Sequence, residues 1–323
     1  MNKESAIQQI NKLATAGKPF LLIVDFKCEN NHVIPIDQVD ASQTLFDVNG
    51  IRNFDQPTIQ NTPVSLKRNP VTLENYQIKF DLVHSEIAKG NTYLLNLTQP
   101  TEIEVKASLK EIFHQSKAKY KLWYKDEFVV FSPEIFVKIE KGQISSYPMK
   151  GTIDADLPNA ADTILSSDKE MAEHATIVDL IRNDMSRYAK DVAVEDFRYI
   201  DELRTSEKHL LQVSSKITGQ LNANYLSRLG ETIYSLLPAG SICGAPKRRT
   251  LNIIEEVEQY DRGYYTGIMG YFDGANFDSG VMIRFIEKEG EGLTYKSGGG
   301  IHFLSEVRSE YQEMIDKVYV PVH

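Results

Sequence analysis

The sequence has little of what marks several common classes of protein. It contains two cysteines, Cys28 and Cys243, and neither belongs to a C-x-x-C pair or a Cys/His cluster. That usage favours a reducing compartment and argues against structural zinc. No apolar run reaches the roughly 18 residues that a helix needs to cross a bilayer, and the first eleven residues hold no apolar signal core. We therefore expect a cytoplasmic protein with no membrane-spanning segment.

Acidic residues outnumber basic ones, 45 to 36. The net charge is −9 and the pI is near 5.4, which argues against a nucleic-acid partner because such a partner needs a basic face. A small anionic substrate stays compatible, since one pocket can be locally basic. The motifs H-E-x-x-H, G-x-S-x-G and G-x-G-x-x-G do not occur. Metalloprotease, serine hydrolase and dinucleotide-binding functions therefore have no anchor.

Apolar spacing predicts a mixture of helices and strands. Thr72 is placed to cap an amphipathic helix that Gly90 ends, and a last helix is predicted from Glu306. Residues 49–70 are rich in Asn, Pro, Gln and Thr, which predicts a loop or flap. The run Gly298–Gly300 is predicted to break a strand. Four short strands separated by turn signals favour an antiparallel meander, at residues 120–124, 128–131, 135–139 and 144–147.

No repeat, low-complexity tract or linker divides the chain. With 323 residues, 41% of them apolar and 25% charged, it can bury a sizeable core. We predict one α+β domain with a layered antiparallel β core, a β-sandwich, flanked by helices.

One lysine has an unusual local setting. Pro148-Met149-Lys150-Gly151-Thr152 follows a predicted strand, and its proline and glycine can turn the lysine toward a cleft. A lysine in a crowded, partly buried site can act as a nucleophile, although most lysines are surface ammonium groups. Glu134 is a candidate general acid if burial raises its pKa. The alternative is an exposed charge at a strand edge.

Two pairs of glutamates recur at helical spacing. Glu170 and Glu173 share one face of a predicted helix, and Glu310 and Glu313 repeat the spacing on the last helix. Four carboxylates on two helices could hold one Mg²⁺, which prefers oxygen ligands. Alternatively, Glu170 completes a capping box begun by Ser167, and Glu313 forms a solvated i,i+4 pair with Lys317.

Three further features allow two interpretations each. Gly240–Lys247 ends at a helix start, where free amides favour an anion, or it is a tight turn that packs a helix. The amides of Gly298–Gly300 could bind a carboxylate or simply end a strand. Arg284 lies in a predicted strand, where it either faces inward with a partner or lies on the wet face.

Together and in this order, these stretches resemble the chorismate-utilising enzymes, which include anthranilate, aminodeoxychorismate and isochorismate synthases. The resemblance runs from about residue 70 to the end and implies an anthranilate synthase component I-like fold. It implies a single chorismate-binding domain over residues 1–323, with a shortened N-terminal portion at 1–70 and a catalytic core at 71–323. The matching stretches are Asn91–Gln99, Ser132–Phe136, Pro148–Thr152, Asp168–Asp184, Gly240–Lys247, Arg262–Phe272, Val281–Phe285 and Gly298–Lys317.

Two positions indicate the branch of the family. Aminodeoxychorismate synthases carry the lysine of a P-I-K-G-T motif, which Lys150 matches, where anthranilate and isochorismate synthases have alanine. Isochorismate synthases use a lysine base in the strand that here reads Tyr93–Asn96, which contains none. The resemblance thus implies conversion of chorismate and ammonia to 4-amino-4-deoxychorismate, for 4-aminobenzoate and folate. Ammonia would come from a separate glutamine amidotransferase. The alternatives are anthranilate synthase component I and a non-catalytic chorismate-binding subunit.

The resemblance also implies residue roles. Glu173 and Glu313 would hold Mg²⁺ with support from Glu170 and Glu310, Lys150 would attack C2 of chorismate, and Glu134 would protonate the departing C4 hydroxyl. Substrate-binding positions would be Gly151, Thr152, Ser241, Tyr265, Arg284, Gly299, Gly300 and Lys317. The sequence departs from the family at Leu211–Ser214, where relatives commonly read H-L-V-S, at Leu94, often glutamine, and at Ile153–Asp156, often a basic run.

Overall fold

The computed structural model of the protein describes residues 1–55, 64–204 and 209–321. Its α-helices are α1 (Lys3–Thr15), α2 (Leu73–Ala88), α3 (Leu109–Gln115), α4 (Ala160–Ser166), α5 (Asp168–Met185), α6 (Leu229–Ser235), α7 (Gly240–Cys243), α8 (Lys247–Glu258) and α9 (Val307–Asp316). Its strands are β1 (Phe20–Val24), β2 (Asn31–Pro35), β3 (Thr44–Val48), β4 (Ile51–Arg52), β5 (Lys67–Asn69), β6 (Leu94–Glu104), β7 (Tyr120–Tyr124), β8 (Phe128–Ser132), β9 (Ile135–Glu140), β10 (Gln143–Ser146), β11 (Met149–Asp154), β12 (Ala189–Arg204), β13 (His209–Leu221), β14 (Gly244–Ala245), β15 (Ile268–Phe272), β16 (Phe277–Val281), β17 (Phe285–Glu289) and β18 (Gly292–His302). Short 3₁₀ turns lie at Ile36–Gln38 and Tyr225–Arg228. Within these described ranges, no helix combines the length and apolar character needed to span a bilayer.

The chain forms two compact units, each assembled from three segments. Unit 1 contains Met1–Val39, Glu134–Gly240 and Thr266–Val281, and unit 2 contains Asp40–Pro133, Ser241–Tyr265 and Met282–His323. The prediction of a single domain over the whole chain stays a prediction.

Unit 1 contains one antiparallel sheet. Its strand order is β11-β13-β10-β9-β16-β15-β1-β2, and β12 pairs with β13. Strand β1 reads Phe-Leu-Leu-Ile-Val and is buried at every position, as its unbroken apolar run predicts. Helix α5 packs on the end of the sheet formed by β11, β12 and β13. That packing places the carboxylates of α5 next to the strand that carries Lys150.

Unit 2 contains a second antiparallel sheet, in the order β14-β6-β18-β17-β8-β7-β3-β4, with β5 on β6. One of its apolar clusters joins α2, α8 and α9 to β6 and β18. Helix α2 contributes Tyr76, Phe80, Val83 and Ile87, whose spacing of three or four residues puts them on one face. Helix α9 is thereby held against the glycine-rich strand β18.

The predicted α+β fold with antiparallel sheets is confirmed, and so are several helix ends. Thr72 accepts a hydrogen bond from the Asn75 amide at the start of α2, and Gly90 follows its end with a φ of +76°. Helix α9 begins at Val307, one residue after the predicted start, and Glu306 is its N-cap. In the predicted 49–70 loop, β4 and β5 form, and residues 56–63 lie outside the described residues.

The predicted meander is wrong. The four strands form two hairpins, but β7 and β8 belong to the unit 2 sheet, while β9 and β10 belong to the unit 1 sheet. Strand β8 pairs onward with β17 and strand β9 pairs onward with β16. The chain passes from one sheet to the other at Pro133. Local sequence does not specify this change, because it depends on β16 and β17, which are distant in sequence.

The predicted strand break at the glycine run is also wrong. Gly298, Gly299 and Gly300 lie inside β18 and pair with Thr98, Leu97 and Asn96 of β6. A Cβ at Gly298 would lie 2.3 Å from the Leu97 carbonyl oxygen. Glycine is needed there because two backbones approach closely, not because the strand ends.

Candidate active site

Lys150 lies in a bulge of β11. Met149 pairs with Ser214 and Thr152 pairs with Gln212, so Lys150 and Gly151 together oppose a single residue. The Lys150 side chain is 18% exposed, and its Nζ lies 3.4 Å from Oε2 of Glu173, whose side chain is 8% exposed. The structure therefore brings together the predicted nucleophile and one predicted metal ligand, within unit 1.

Glu170 lies on the same helix face, beside Gly151. Gly151 has a φ of +84°, and a Cβ there would lie 2.8 Å from Glu170 Oε2. The Ser167 hydroxyl accepts a hydrogen bond from the Glu170 amide at 3.3 Å, as a capping interaction predicts. The cap fixes the start of α5, and the Glu170 carboxylate faces the glycine. The Ser167 half of the predicted capping box is therefore present, and the Glu170 carboxylate lies beside Gly151.

Unit 2 brings together a second group of predicted residues. Glu310 is 1% exposed, whereas the side chain of Glu313 is 46% exposed. A Cβ at Gly299 would lie 3.3 Å from Glu313 Oε1 and 3.5 Å from Glu310 Oε2. Lys317 Nζ donates to Glu313 Oε1 at 2.6 Å and to the Gly298 carbonyl at 2.9 Å. The Glu313–Lys317 pair suggested by helical spacing is thus present, at the glycine strand.

Arg284 does not lie in a strand as predicted. It lies in the connection between β16 and β17 with a φ of +54°, a left-handed conformation that is uncommon outside glycine. Its guanidinium carbon lies 5.3 Å from the centre of the Tyr319 ring, and its buried Nε makes no hydrogen bond within the described part of the chain. Tyr265, another predicted substrate-binding residue, is buried against Phe285, and the centres of the two rings lie 5.9 Å apart.

The remaining predicted residues take various positions. Glu134 is half-buried just before β9, and its carbonyl accepts a hydrogen bond from Val281. Thr152 is exposed in β11, and Ser241 is half-buried in α7. At Gly244 a Cβ would lie 1.8 Å from the Leu94 carbonyl oxygen. That contact is strand pairing with β6. A Cβ at Gly240 would lie 3.0 Å from Cδ2 of Leu180 in α5, which supports the helix-packing interpretation of the Gly240–Lys247 stretch.

The donor set is suited to a hard divalent ion. Within residues 1–55, 64–204 and 209–321, no three or more His, Cys, Asp or Glu side chains gather closely enough to chelate a metal alone. The glutamates stand as two pairs, one in each unit. Mg²⁺ typically binds one or two protein carboxylates and keeps several waters. A pair of this kind can supply those carboxylates. Beside each pair, Gly151 or Gly299 leaves space that a Cβ would fill.

Sequence reasoning missed a buried polar group beside Lys150. His174 follows Glu173 directly, and its Nε2 lies 2.6 Å from Oγ of Ser215 in β13. Burial, with smaller contributions from the charges of Arg198 and Lys150, lowers the pKa of His174 to about 4, so the ring is neutral. The position of His174 next to Glu173 was an available signal. Arg198 gave none, because β12 was not predicted.

Comparison with known proteins places this architecture in a class. The fold is similar to that of anthranilate synthase component I from Streptococcus pneumoniae, with a TM-score of 0.66 and 24% identity over 92% of this chain and 70% of that one. The chain belongs to the family of chorismate binding enzymes, whose model matches residues 7–323. It is a chorismate-utilising enzyme of the group that contains the aminodeoxychorismate and anthranilate synthases.

Two relatives illustrate that group. An uncharacterised PabA-like protein of Pasteurella multocida is 49% identical over 323 residues, all of both chains. Aminodeoxychorismate synthase component 1 of Klebsiella aerogenes is 32% identical over 281 residues, which cover 81% of this chain and 60% of that protein.

Proposed function

We propose that this chain is the synthase component of an aminodeoxychorismate synthase. It would convert chorismate and ammonia to 4-amino-4-deoxychorismate, the precursor of 4-aminobenzoate for folate. The observation that carries the proposal is Lys150, a half-buried amine 3.4 Å from a carboxylate of α5 rather than an exposed ammonium. The 32% sequence identity to aminodeoxychorismate synthase component 1 of Klebsiella aerogenes also supports the proposal.

The proposed reaction consists of two displacements. The neutral Lys150 amine attacks C2 of chorismate, the ring double bonds shift, and the C4 hydroxyl leaves as water with a proton from Glu134. Ammonia then adds at C4, the double bonds shift back, and the C2–nitrogen bond to Lys150 breaks. The amine is therefore retained at C4, whereas an anthranilate synthase would place it at C2.

Other residues would bind and orient the substrate. Glu170, Glu173, Glu310 and Glu313 would hold Mg²⁺, which when bound neutralises the ring carboxylate and withdraws electron density. Lys317, Arg284 and the Gly299 and Gly300 amides would bind carboxylates, with Thr152, Ser241 and Tyr265 lining the substrate. A glutamine amidotransferase is the proposed source of ammonia, and a cytoplasmic location stays a prediction.

The test is product analysis with a matched lysine control. The chain is incubated with chorismate, Mg²⁺ and ammonium, and products are identified by mass spectrometry. We expect 4-amino-4-deoxychorismate, and no product in EDTA or from Lys150→Ala. The matched control is Lys138→Ala, at a similarly buried lysine of the same sheet that is 19% exposed and paired with Asp278 at 3.0 Å. This variant should retain activity, because the proposed reaction gives Lys138 no role.

Other outcomes would identify the rivals. Anthranilate as the product would assign anthranilate synthase component I. Binding of chorismate without any turnover would assign a non-catalytic subunit. Full glutamine-dependent turnover by Lys150→Ala with its partner would rule out a nucleophilic lysine.

A further inference from the structure

Because Lys150 lies in a bulge, the pairing of β11 with β13 does not fix the position of Lys150. Regular pairing of β11 with β13 stops at Met149 and resumes at Thr152. Gly151 adds a left-handed backbone with a φ of +84°. Some other contact must therefore hold this segment and the facing helix α5 in one arrangement.

One buried serine provides such a contact through its amide and its hydroxyl together. Ser215 is 0% exposed, and its amide donates to the Pro148 carbonyl at 3.0 Å, two residues before Lys150. Its Oγ accepts the Arg198 amide of β12 at 2.9 Å and meets His174 Nε2 of α5 at 2.6 Å. Ser215 thus connects the strand of Lys150, the neighbouring strand and the helix of Glu173.

Ser215 Oγ has one hydrogen and two acceptor lone pairs, and one lone pair accepts from the Arg198 amide. The Lys150 carbonyl also acts on the imidazole, and a carbonyl can only accept, so we assign the imidazole hydrogen to Nδ1, the ring nitrogen that does not meet Ser215. In this tautomer Nε2 accepts from the Ser215 hydroxyl. Nδ1 itself makes no hydrogen bond within the described residues.

We propose that His174 is a positioning residue for Lys150. By accepting the Ser215 hydroxyl, it fixes the rotation of α5 so that Glu173, the preceding residue, stays on the Lys150 amine. This inference rests on the proposed function only where it takes Lys150 as the nucleophile. It predicts that the reactivity of the Lys150 amine depends on an imidazole that itself touches no substrate.

The test measures lysine reactivity without turnover. In EDTA, each variant is labelled briefly with an amine-acylating reagent, and peptide mass spectrometry gives the labelling of Lys150 relative to Lys138 in the same sheet. His174→Leu and Ser215→Ala should raise that ratio several-fold, because Glu173 no longer retains the amine. His174→Gln, which can still accept from Ser215, should restore the wild-type ratio. His209→Gln, at a partly exposed histidine of β13, is the control and should not change it.

Turnover adds a second readout where the wild type is active. His174→Leu should lower kcat about 100-fold, with a small change in KM, because misplaced reacting groups affect the chemical step. His174→Gln should recover most of that loss. An unchanged Lys150 ratio in both His174→Leu and Ser215→Ala would overturn the proposal, even with lowered stability. Inactive wild-type protein would instead count against the proposed function, while the labelling result would still decide the role of His174.

Discussion

At the scale of single residues, Gly151 is constrained twice. Its φ of +84° lies in the left-handed region, and a Cβ would lie 2.8 Å from Glu170 Oε2 and 3.2 Å from Cδ1 of Ile164. The first constraint acts on the backbone and the second on the carboxylate. Gly142, in the turn between β9 and β10 of the same sheet, separates the two effects, since it has a φ of +83° and lies next to Gln220 and Tyr225 instead.

Alanine at these glycines should therefore give different results. Both Gly151→Ala and Gly142→Ala should lower the free energy of unfolding by about 1 kcal/mol, because alanine is strained at positive φ. Only Gly151→Ala should weaken the thermal stabilisation by Mg²⁺, because it displaces Glu170. Urea denaturation and melting curves with and without Mg²⁺ measure both effects. Equal responses to Mg²⁺ would show that Glu170 has no part in metal binding.

Lys121 has an unusual environment for a lysine. It is 6% exposed, its Nζ donates to the Ser116 carbonyl at 2.8 Å, and Nζ lies 4.7 Å from the centre of the Phe113 ring. Burial lowers the pKa of Lys121 from 10.5 to about 8. The folded protein therefore holds this proton less tightly than the unfolded chain does.

The stability of the protein should respond to pH accordingly. Between pH 8 and about 10 the unfolded state binds more protons at this group, so the contribution of Lys121 to stability rises with pH. Below pH 8 both states are protonated and the cost of the buried charge is fully present. Relative to Lys121→Met, the wild type should gain about 3 kcal/mol across this window. Urea titrations of both proteins at successive pH values test this, and parallel curves would contradict it.

At the scale of elements, helix α5 and helix α3 begin with comparable caps. Ser167 accepts from the Glu170 amide at 3.3 Å, and Ser108 accepts from the Glu111 amide at 3.2 Å in a complete capping box. Removing either hydroxyl leaves a helix amide without its partner. Only α5 carries a predicted pair of metal ligands.

Ser167→Ala and Ser108→Ala should each lower the free energy of unfolding by about 1 kcal/mol. Ser167→Ala should in addition lower Mg²⁺ affinity, measured by calorimetry, because Glu170 belongs to the capped turn. Ser108→Ala should leave that affinity unchanged. A fall in affinity for both variants would indicate a general loss of stability and not a local effect.

Local chemistry made much of the fold predictable. The Thr72 cap, the apolar face of α2 and the start of α9 depend on residues within one or two turns, so the sequence pattern was sufficient. The bulge at Lys150–Gly151 was not predictable, because it is defined by the register against Ser214 and Gln212, more than 60 residues away. The same reason explains the misread glycine run, whose partner strand β6 lies about 200 residues earlier.

At the scale of the whole molecule, the two units share one interleaved chain. Residues 40–133 leave unit 1 and return to it, and residues 241–265 do so again. If unit 2 unfolded alone, unit 1 would have to close a loop of residues 40–133, which costs about 4 kcal/mol in chain entropy. Independent unfolding of either unit is correspondingly disfavoured.

The protein offers a direct test of that coupling. Trp123 is its one tryptophan, and it is 5% exposed in β7 of unit 2, whereas far-UV circular dichroism reports on both sheets. Urea unfolding should give the same midpoint by tryptophan fluorescence and by circular dichroism. A tryptophan transition at lower urea, with much of the dichroism retained, would show that unit 2 unfolds by itself.

The sequence alone determined the antiparallel α+β fold, the main helix ends and the order of the charged motifs, because these follow from short-range spacing and from motif order. The tertiary structure decided which charges are buried. Glu310 and Glu313 are three residues apart on one helix, yet one is 1% exposed and the other has a side chain 46% exposed. Likewise, only packing of α5 on β11 sets Glu173 against Lys150. Desolvation and ion pairing depend on neighbours brought close by the fold, and no local pattern specifies them.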